Sequence, residues 1–237
     1  MITQKTKKIS TLDLSEGEVF LIDKDFGKTS FNVVANIRRI FSVKKVGHAG
    51  TLDPAATGLL IVCLGRKKTK EIYKYQDMPK TYTGTITLGA KTPSMDAETE
   101  PSEIKSFDKV TEQNIEEVRK TFLGEIEQVP PMYSALKHKG KALYKYARKG
   151  IEIKREPRKV NIYNFEISKV QLPEVKFKIE CSKGTYIRVI ADDFGDRLGC
   201  GAYLSELRRT KIGDYDVDDA LTIEELESLV LETNEVS

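Results

Sequence analysis

The sequence predicts an α+β fold, because segments with strand-like and helix-like patterns follow one another without internal repeats. The chain has 237 residues, of which 39% are hydrophobic, and this is enough to build a substantial core. No apolar run approaches the length that crosses a bilayer, and the lysine-rich N-terminus does not resemble a secretory signal. We therefore expect a globular protein of the cytoplasm that does not contact a membrane.

Hydrophobic periodicity predicts each element in turn, with a period of two residues for strands and 3.6 for helices. Thr29 or Ser30 is expected to cap the first helix, because apolar residues at helical spacing follow them. The polar stretch 92–108, which contains proline, is expected to run over the surface. In chain order the predicted elements are a strand at 18–23, a helix ending near 41, a buried strand at 59–64, a half-covered strand at 80–90, a helix at 111–122, strands at 160–170 and 175–181, a helix ending near 199 and a short helix at 222–231.

Basic residues are concentrated in two stretches, although the net charge is only +3. Ten lysines and arginines between 137 and 159 face only two glutamates, and a second cluster occupies 66–74. Tyr144 and Tyr146 lie within the first stretch. Because bases stack on aromatic rings and phosphates need cations, this pattern favours a nucleic-acid partner. Composition alone leaves an ordinary solvated surface open as the alternative.

Residue spacing excludes several kinds of site. Gly27-Lys28-Thr29 lacks the glycine that a phosphate-binding loop needs five residues earlier, since Ile22 is there. His48 and His138 stand apart from the cysteines, so no zinc spacing is present, and there is neither a hydrolase elbow nor a dinucleotide fingerprint. The odd number of cysteines predicts reduced, buried thiols at Cys63, Cys181 and Cys200. Carboxylates, tyrosines and arginines remain as reactive groups.

The segment 47–60 is the densest unusual stretch and reads G-H-A-G-T-L-D-P-A-A-T-G-L-L. An Asp-Pro pair between closely spaced glycines places the Asp53 carboxylate on a tight turn that a ligand can approach. Local sequence leaves open the alternative that Asp53 only initiates the turn.

This segment resembles the signature of the TruB family of pseudouridine synthases, G-x-x-G-x-L-D-P-x-A-T-G-x-L, and it matches at every specified position. The first family block is similar to 23–30, except that Asp25 stands where proline is usual. Further segments similar to family blocks follow in the expected order at 80–82, 128–137, 157–160, 181–188 and 204–209.

The resemblance implies the pseudouridine synthase fold, a mixed and largely antiparallel sheet flanked by helices, with a basic RNA-clamping insertion at about 131–158. It implies an isomerase that converts uridine 55 in the TΨC arm of tRNA to pseudouridine after flipping the base out of its stack. The reaction is a redox-neutral isomerisation, so neither a cofactor nor a metal is expected. The resemblance also implies a monomer that needs no protein partner.

The resemblance assigns roles to individual residues. Asp53 is the catalytic carboxylate, Arg188 the cation that keeps it ionised in the base pocket, and Tyr82 the ring that stacks on uracil near C5. A phosphate contact is the alternative for Arg188, and plain strand packing is the alternative for Tyr82. The residues implied to bind the flipped nucleotide are His48, Tyr186, Leu207, Lys28, Gly50 and Thr51. The cations expected along the RNA backbone are Arg66, Lys67, Lys68, Lys137, Lys139, Lys141, Arg148 and Arg158.

We expect an N-terminal extension at 1–17, a catalytic domain at 18–221 and a short acidic helical tail at 222–237 without a full PUA domain. Two other functions are kept as alternatives. One is a tRNA-binding folding chaperone with little catalytic role, and the other is a synthase that acts on a different RNA. The complete set of Asp53, Tyr82 and Arg188 favours catalysis over a chaperone that has no catalytic role.

Overall fold

The computed structural model describes residues 1–7, 9 and 16–235, with the backbone alone for 233–235. The helices are α1 (Ser30–Phe41), α2 (Arg66–Lys70), α3 (Ile72–Gln76), α4 (Glu112–Lys120), α5 (Tyr144–Ala147), α6 (Ile187–Leu198) and α7 (Ile223–Glu235). The strands are β1 (Glu18–Lys24), β2 (Val46–His48), β3 (Ala56–Leu64), β4 (Lys80–Leu88), β5 (Ala90–Lys91), β6 (Glu103–Ile104), β7 (Gly124–Gln128), β8 (Lys137–His138), β9 (Lys141–Ala142), β10 (Arg158–Gln171), β11 (Glu174–Cys181), β12 (Ala202–Ile212) and β13 (Tyr215–Asp216).

The chain divides into two compact units, one formed by 1–82 with 207–237 and the other by 83–206. The predicted N-terminal extension and acidic tail both fall in the first unit. Residues 8 and 10–15 of the extension, and 236 and 237 of the tail, lie outside the described residues. The domain boundaries expected at 17 and 222 stay predictions.

Strand β3 organises the first unit. It pairs antiparallel with β1 over the whole length of β1, antiparallel with β2 at its end and parallel with β12 at its start. Residues 59–64 are fully buried, as the apolar run predicted. Helices α1 and α7 add their apolar residues to one core cluster with β1 and β3. The parallel pairing places Leu207 of β12 opposite Ala56, at the first residue of β3.

Helix α1 begins where its sequence predicts. Thr29 is the N-cap, since its hydroxyl accepts a hydrogen bond from the backbone N–H of Asn32 at 3.0 Å. The Asn32 side chain accepts a bond from the Thr29 N–H at 2.8 Å, which completes a capping box. Ser30, the other predicted cap, is buried and bonds elsewhere. Val33, Val34 and Ile37 form the buried face of this helix.

The strands of the second unit follow the order β12, β4, β11, β10 and β7, and β10 pairs antiparallel with both β11 and β7. A cluster of phenylalanines from α4–β7, β10, β11 and α6 forms its core, with ring centroids 5.9–6.1 Å apart between neighbours. Helix α6 ends at Gly199, whose φ of 81° suits glycine. Its end is where the pattern predicts.

The predicted fold class, α+β with a mixed sheet flanked by helices, is confirmed. The prediction that 92–108 runs over the surface is wrong for its first part, because Thr92, Ser94 and Asp96 are buried. Asp96 forms a parallel bridge with Leu204, which draws this segment inward. The strand expected to be covered on one face, β4, also has Thr85 buried on its other face. Among the described residues, no helix is both long and apolar enough to span a membrane.

Candidate active site

Asp53 lies on a tight turn between β2 and β3, as predicted. The backbone N–H of Ala56 donates to the Asp53 carbonyl at 3.0 Å and closes the turn just as β3 begins. Leu52 is buried below the turn, whereas Asp53 is half-buried and Pro54 is exposed. The turn therefore anchors one neighbour of Asp53 in the core and leaves Asp53 itself partly exposed.

Residues from the loop after β1 and from the start of α1 bond to this turn on both sides of Asp53. The Gly27 N–H donates to the Pro54 carbonyl at 2.9 Å. The Ser30 hydroxyl accepts from the Leu52 N–H at 2.9 Å and donates to the Leu52 carbonyl at 3.2 Å. Backbone on each side of Asp53 is thus fixed by hydrogen bonds, which is how a reacting group is pre-positioned without reorganisation.

Lys24, at the end of β1, is a buried cation beneath the turn. Its ammonium donates to the carbonyls of Asp25 at 2.9 Å, Lys28 at 2.7 Å and Pro54 at 3.5 Å. Burial lowers the pKa of Lys24 from 10.5 to about 8, and the negative charge of Asp53 acts in the opposite direction. A positive charge therefore lies close to the Asp53 carboxylate and compensates part of its cost of burial.

Arg209 is a second buried cation behind the turn, with only 1% of its surface exposed. Its Nε donates to the Leu59 carbonyl at 2.7 Å and its Nη2 donates to the Gly50 carbonyl at 3.2 Å. These two carbonyls lie on opposite sides of Asp53 in the chain. The sequence identified the Leu-Arg-Arg block but did not indicate that Arg209, rather than Arg208, is buried.

Three predicted nucleotide-binding residues lie on or beside this turn. Gly50 presents its carbonyl to Arg209, and Thr51 is exposed two residues before Asp53. His48, on β2, is half-buried, and burial and the charge of Arg209 lower its pKa below the usual 6.5. The His48 imidazole is therefore neutral near pH 7.

The other predicted residues of the first unit are less tightly grouped. Lys28 has an exposed side chain, and its carbonyl binds the ammonium of Lys24. Leu207 lies opposite Ala56 in the parallel register, which puts it next to the turn. Tyr82 is buried on β4.

Arg188 and Tyr186 belong to the second unit, at the start of α6. Arg188 is buried, and its Nη1 lies 3.7 Å from Oδ2 of Asp96, which is also buried. Asp96 was missed because its segment was expected on the surface. The local sequence gave no signal for it, because Thr92, Ser94 and Asp96 are polar residues of the kind that surface turns contain.

Tyr186 contacts two guanidinium groups. The Cζ of Arg158 lies 4.7 Å from its ring centroid and that of Arg188 lies 5.8 Å away. Arg158 also donates to the Gly184 carbonyl. Sequence placed Arg158 on the RNA backbone, and that role stays a prediction. These contacts within the protein were not expected.

The remaining predicted RNA-backbone cations form two groups. Arg66, Lys67 and Lys68 are on α2, where Lys67 forms an ion pair with Glu16. The group in the second unit alternates with aromatic rings: Lys141 lies 4.7 Å from the ring centroid of Tyr146, Arg148 lies 5.4 Å from that of Tyr144, and Lys137 and Lys139 are exposed. Within the described part of the chain, no three histidine, cysteine or acidic side chains are grouped to hold a metal.

Comparison with known proteins places these features in a family. Residues 38–187 match the TruB family pseudouridylate synthase N-terminal domain, and residues 188–236 match the tRNA pseudouridylate synthase B C-terminal domain. The protein named tRNA pseudouridine synthase B of Chloroherpeton thalassium is 49% identical over 225 residues, which cover 93% of each chain. The protein of the same name from Flavobacterium johnsoniae is 49% identical over 215 residues, covering 88% of this chain and 93% of that one.

A solved structure agrees with this assignment. The crystal structure of a Cbf5-Nop10-Gar1 complex contains a chain that matches 94% of this one with a TM-score of 0.72 and 31% identity. This chain spans 56% of the length of that chain. On the match of both sequence domains and on this overall similarity, the chain belongs to the TruB family of pseudouridylate synthases.

Proposed function

We propose that this chain is a tRNA pseudouridine synthase and that it converts uridine 55 of the TΨC arm to pseudouridine. Family membership and the names of its relatives support the reaction and the tRNA substrate. The observation that carries the proposal is the position of Asp53, a half-buried carboxylate on a turn whose flanking backbone is fixed by Gly27 and Ser30.

The reaction is an isomerisation that moves the bond to C1′ of ribose from N1 to C5 of the uracil ring, without oxidation or reduction. The bond between N1 of uracil and C1′ of ribose breaks, the base turns, a bond forms between C5 and C1′, the C5 proton leaves to solvent, and N1 gains a proton. Asp53 must be ionised to assist glycosidic bond cleavage. The positive charge of Lys24, which interacts with Asp53, favours this ionised form.

We assign Arg188 the role of a further cation that stabilises ionised Asp53 during the reaction. The buried carboxylate of Asp96 faces Arg188 and supports its orientation. The ring of Tyr82 is proposed to stack on the uracil near C5.

The target base must leave its stack, at a cost of a few kcal/mol, before Asp53 can reach it. We propose that neutral His48 fills the space that the nucleotide vacates, and that Leu207, Tyr186, Lys28, Gly50 and Thr51 contact the flipped nucleotide. The pairing of half-buried Leu207 with Ala56, next to the Asp53 turn, supports this role for Leu207.

RNA affinity is proposed to come from the basic insertion at about 131–158 and from α2. Exposed lysines at 137 and 139 provide charge for phosphates, and the rings of Tyr144 and Tyr146 lie under Arg148 and Lys141. We also propose that the chain acts as a monomer in the cytoplasm and needs no protein partner. Light scattering with and without tRNA measures the oligomeric state directly.

The proposal is tested with an unmodified tRNA transcript that carries tritium at C5 of its uridines. The wild-type protein should release tritium from this transcript, and a matched transcript with cytidine at position 55 should release none. Release from both transcripts would place the target elsewhere in the RNA. If neither transcript releases tritium while the protein accelerates tRNA refolding, the chaperone alternative replaces the proposed function.

A further inference from the structure

Two residues that pair across neighbouring strands both form hydrogen bonds to the loop that leads into α6. Gln128, the last residue of β7, lies opposite Arg158, the first residue of β10. The Gln128 side chain accepts from the Tyr186 N–H at 3.1 Å and donates to the Tyr186 carbonyl at 3.2 Å. Arg158 donates to the Gly184 carbonyl and lies over the Tyr186 ring at 4.7 Å. The strand ends therefore hold Tyr186 by its backbone and by its ring.

The Gln128 amide is buried, with 1% of the residue exposed. A buried side-chain amide needs partners for both its oxygen and its nitrogen, and here the backbone of one residue supplies both. This geometry resembles the exchange of two hydrogen bonds in an antiparallel ladder. It fixes the peptide groups on each side of Tyr186 far more closely than a single bond would.

Tyr186 is also the residue from which α6 starts, and it provides no side-chain cap of its own. Arg188 follows in the first turn of α6, buried and 3.7 Å from Asp96. Rotation of the Tyr186 backbone would therefore turn the first helical residues and move the Arg188 guanidinium. The long Arg188 side chain amplifies a small backbone rotation into a displacement at its tip.

We propose that Gln128 and Arg158 are positioning residues that act through Tyr186 to set Arg188 for the reaction. This inference rests on the proposed function, because it assigns Arg188 to the reacting site. It changes the expected role of Arg158, whose guanidinium already binds a protein carbonyl and an aromatic ring. The main role of Arg158 is then to place Tyr186, and attraction of RNA phosphates is secondary.

Hydrogen exchange tests the contact without reference to activity. In the wild-type protein the Tyr186 amide should be protected, and Gln128→Met should speed its exchange at least tenfold because both bonds are lost while side-chain volume is nearly kept. The amide of Ile179, which is fully buried on β11, reports whether the unit stays folded and should keep its protection. An unprotected Tyr186 amide in the wild type would overturn the proposal.

Single-turnover tritium release and RNA affinity then separate positioning from RNA binding. Gln128→Met and Arg158→Gln should each lower the rate constant about 10- to 100-fold, as expected for a small misplacement, with the RNA Kd within about twofold of wild type. Arg158→Lys keeps the positive charge but not the planar guanidinium that donates to the Gly184 carbonyl and lies over the Tyr186 ring. Its rate constant should therefore stay as low as that of Arg158→Gln. Lys169→Gln, the control, removes an exposed cation elsewhere on β10 and should leave the rate unchanged.

Recovery of both rate and affinity in Arg158→Lys, or a wild-type rate in Gln128→Met, would overturn the proposal. Failure of the proposed function gives a different result. In that case the wild-type protein releases no tritium at all, while the exchange of the Tyr186 amide still decides whether the Gln128 contact exists in solution.

Discussion

Substituting Gly58 with alanine should destabilise the protein much more than the same change at Gly27. Both glycines have positive φ, 102° at Gly58 and 75° at Gly27, so alanine is strained at either position. A Cβ at Gly27 meets nothing within 4 Å. A Cβ at Gly58 would lie 2.3 Å from the Arg209 carbonyl oxygen and 2.8 Å from the Arg209 nitrogen. The difference between the variants therefore isolates the close approach of β3 and β12.

The magnitude follows from two contributions. The left-handed conformation costs alanine about 1–2 kcal/mol at either position. At Gly58 the strands must also separate by about 1 Å to reach an ordinary carbon–oxygen distance, and overpacking of this kind costs about 1–3 kcal/mol. We therefore expect a loss of about 1–2 kcal/mol for Gly27→Ala and about 2–5 kcal/mol for Gly58→Ala. Separation at this point also disturbs the buried bond from Arg209 to the Leu59 carbonyl.

Urea unfolding followed by far-ultraviolet circular dichroism measures both variants, since the chain contains no tryptophan for a fluorescence signal. The slope of free energy against urea should match that of the wild type, so that the midpoints report stability alone. Equal losses in the two variants would refute the reasoning, because they would mean that the strands accommodate a methyl group without cost.

Three further predictions concern charged groups. Burial lowers the pKa of Lys24 from 10.5 to about 8, so between these two pH values the unfolded state binds more protons than the folded state. The free energy of unfolding of the wild-type protein should therefore rise by up to about 3 kcal/mol as the pH rises through this range. Urea unfolding at about pH 7 and about pH 10 should show this rise in the wild type and not in Lys24→Met. Asp96→Asn removes the carboxylate that faces Arg188 and should lower the single-turnover rate at least about tenfold, with the RNA Kd unchanged in filter binding. Changing Lys137, Lys139 and Lys141 together to glutamine should reduce the slope of log affinity against log salt by about 2 to 3, with the rate at saturating RNA unchanged.

The elements that could be predicted from sequence are those fixed by local interactions. The helix cap, expected at Thr29 or Ser30 and found at Thr29, the apolar run of β3 and the glycine after α6 each need only neighbouring residues. The Asp53 turn is similar, because proline and the nearby glycines restrict the backbone there. These features were identified correctly for this physical reason.

The features that were missed depend on contacts between residues far apart in the chain. Strand β12 has three charged residues within four positions, Glu206, Arg208 and Arg209, and they obscure the alternation expected of a strand. Arg209 is buried with its Nε bonded to the Leu59 carbonyl of β3, a residue 150 positions earlier in the chain. The burial of Asp96 likewise requires its bridge to Leu204, more than a hundred residues later. Periodicity within a short window carries no information about such partners.

The residues of the candidate active site show the same difference between features set by neighbouring residues and features set by contacts far apart in the chain. Family resemblance pointed to Asp53, but the two cations behind it, Lys24 and Arg209, became evident only from the hydrogen bonds that the turn receives. Gln128 begins the segment 128–137 that resembles a family block, but nothing in the local sequence indicated a role for it, since a glutamine at the end of a strand is ordinary. Its importance comes from the backbone of Tyr186, which the fold brings to it.

The most direct test of the central claim is single-turnover tritium release by Asp53→Asn, measured together with its affinity for the same unmodified tRNA. This substitution keeps the size of the side chain and the backbone bonds of the turn, so the fold and the RNA Kd should match the wild type. We predict that tritium release is lost while RNA binding is retained. Release by Asp53→Asn at the wild-type rate would contradict the assignment of Asp53 as the catalytic carboxylate.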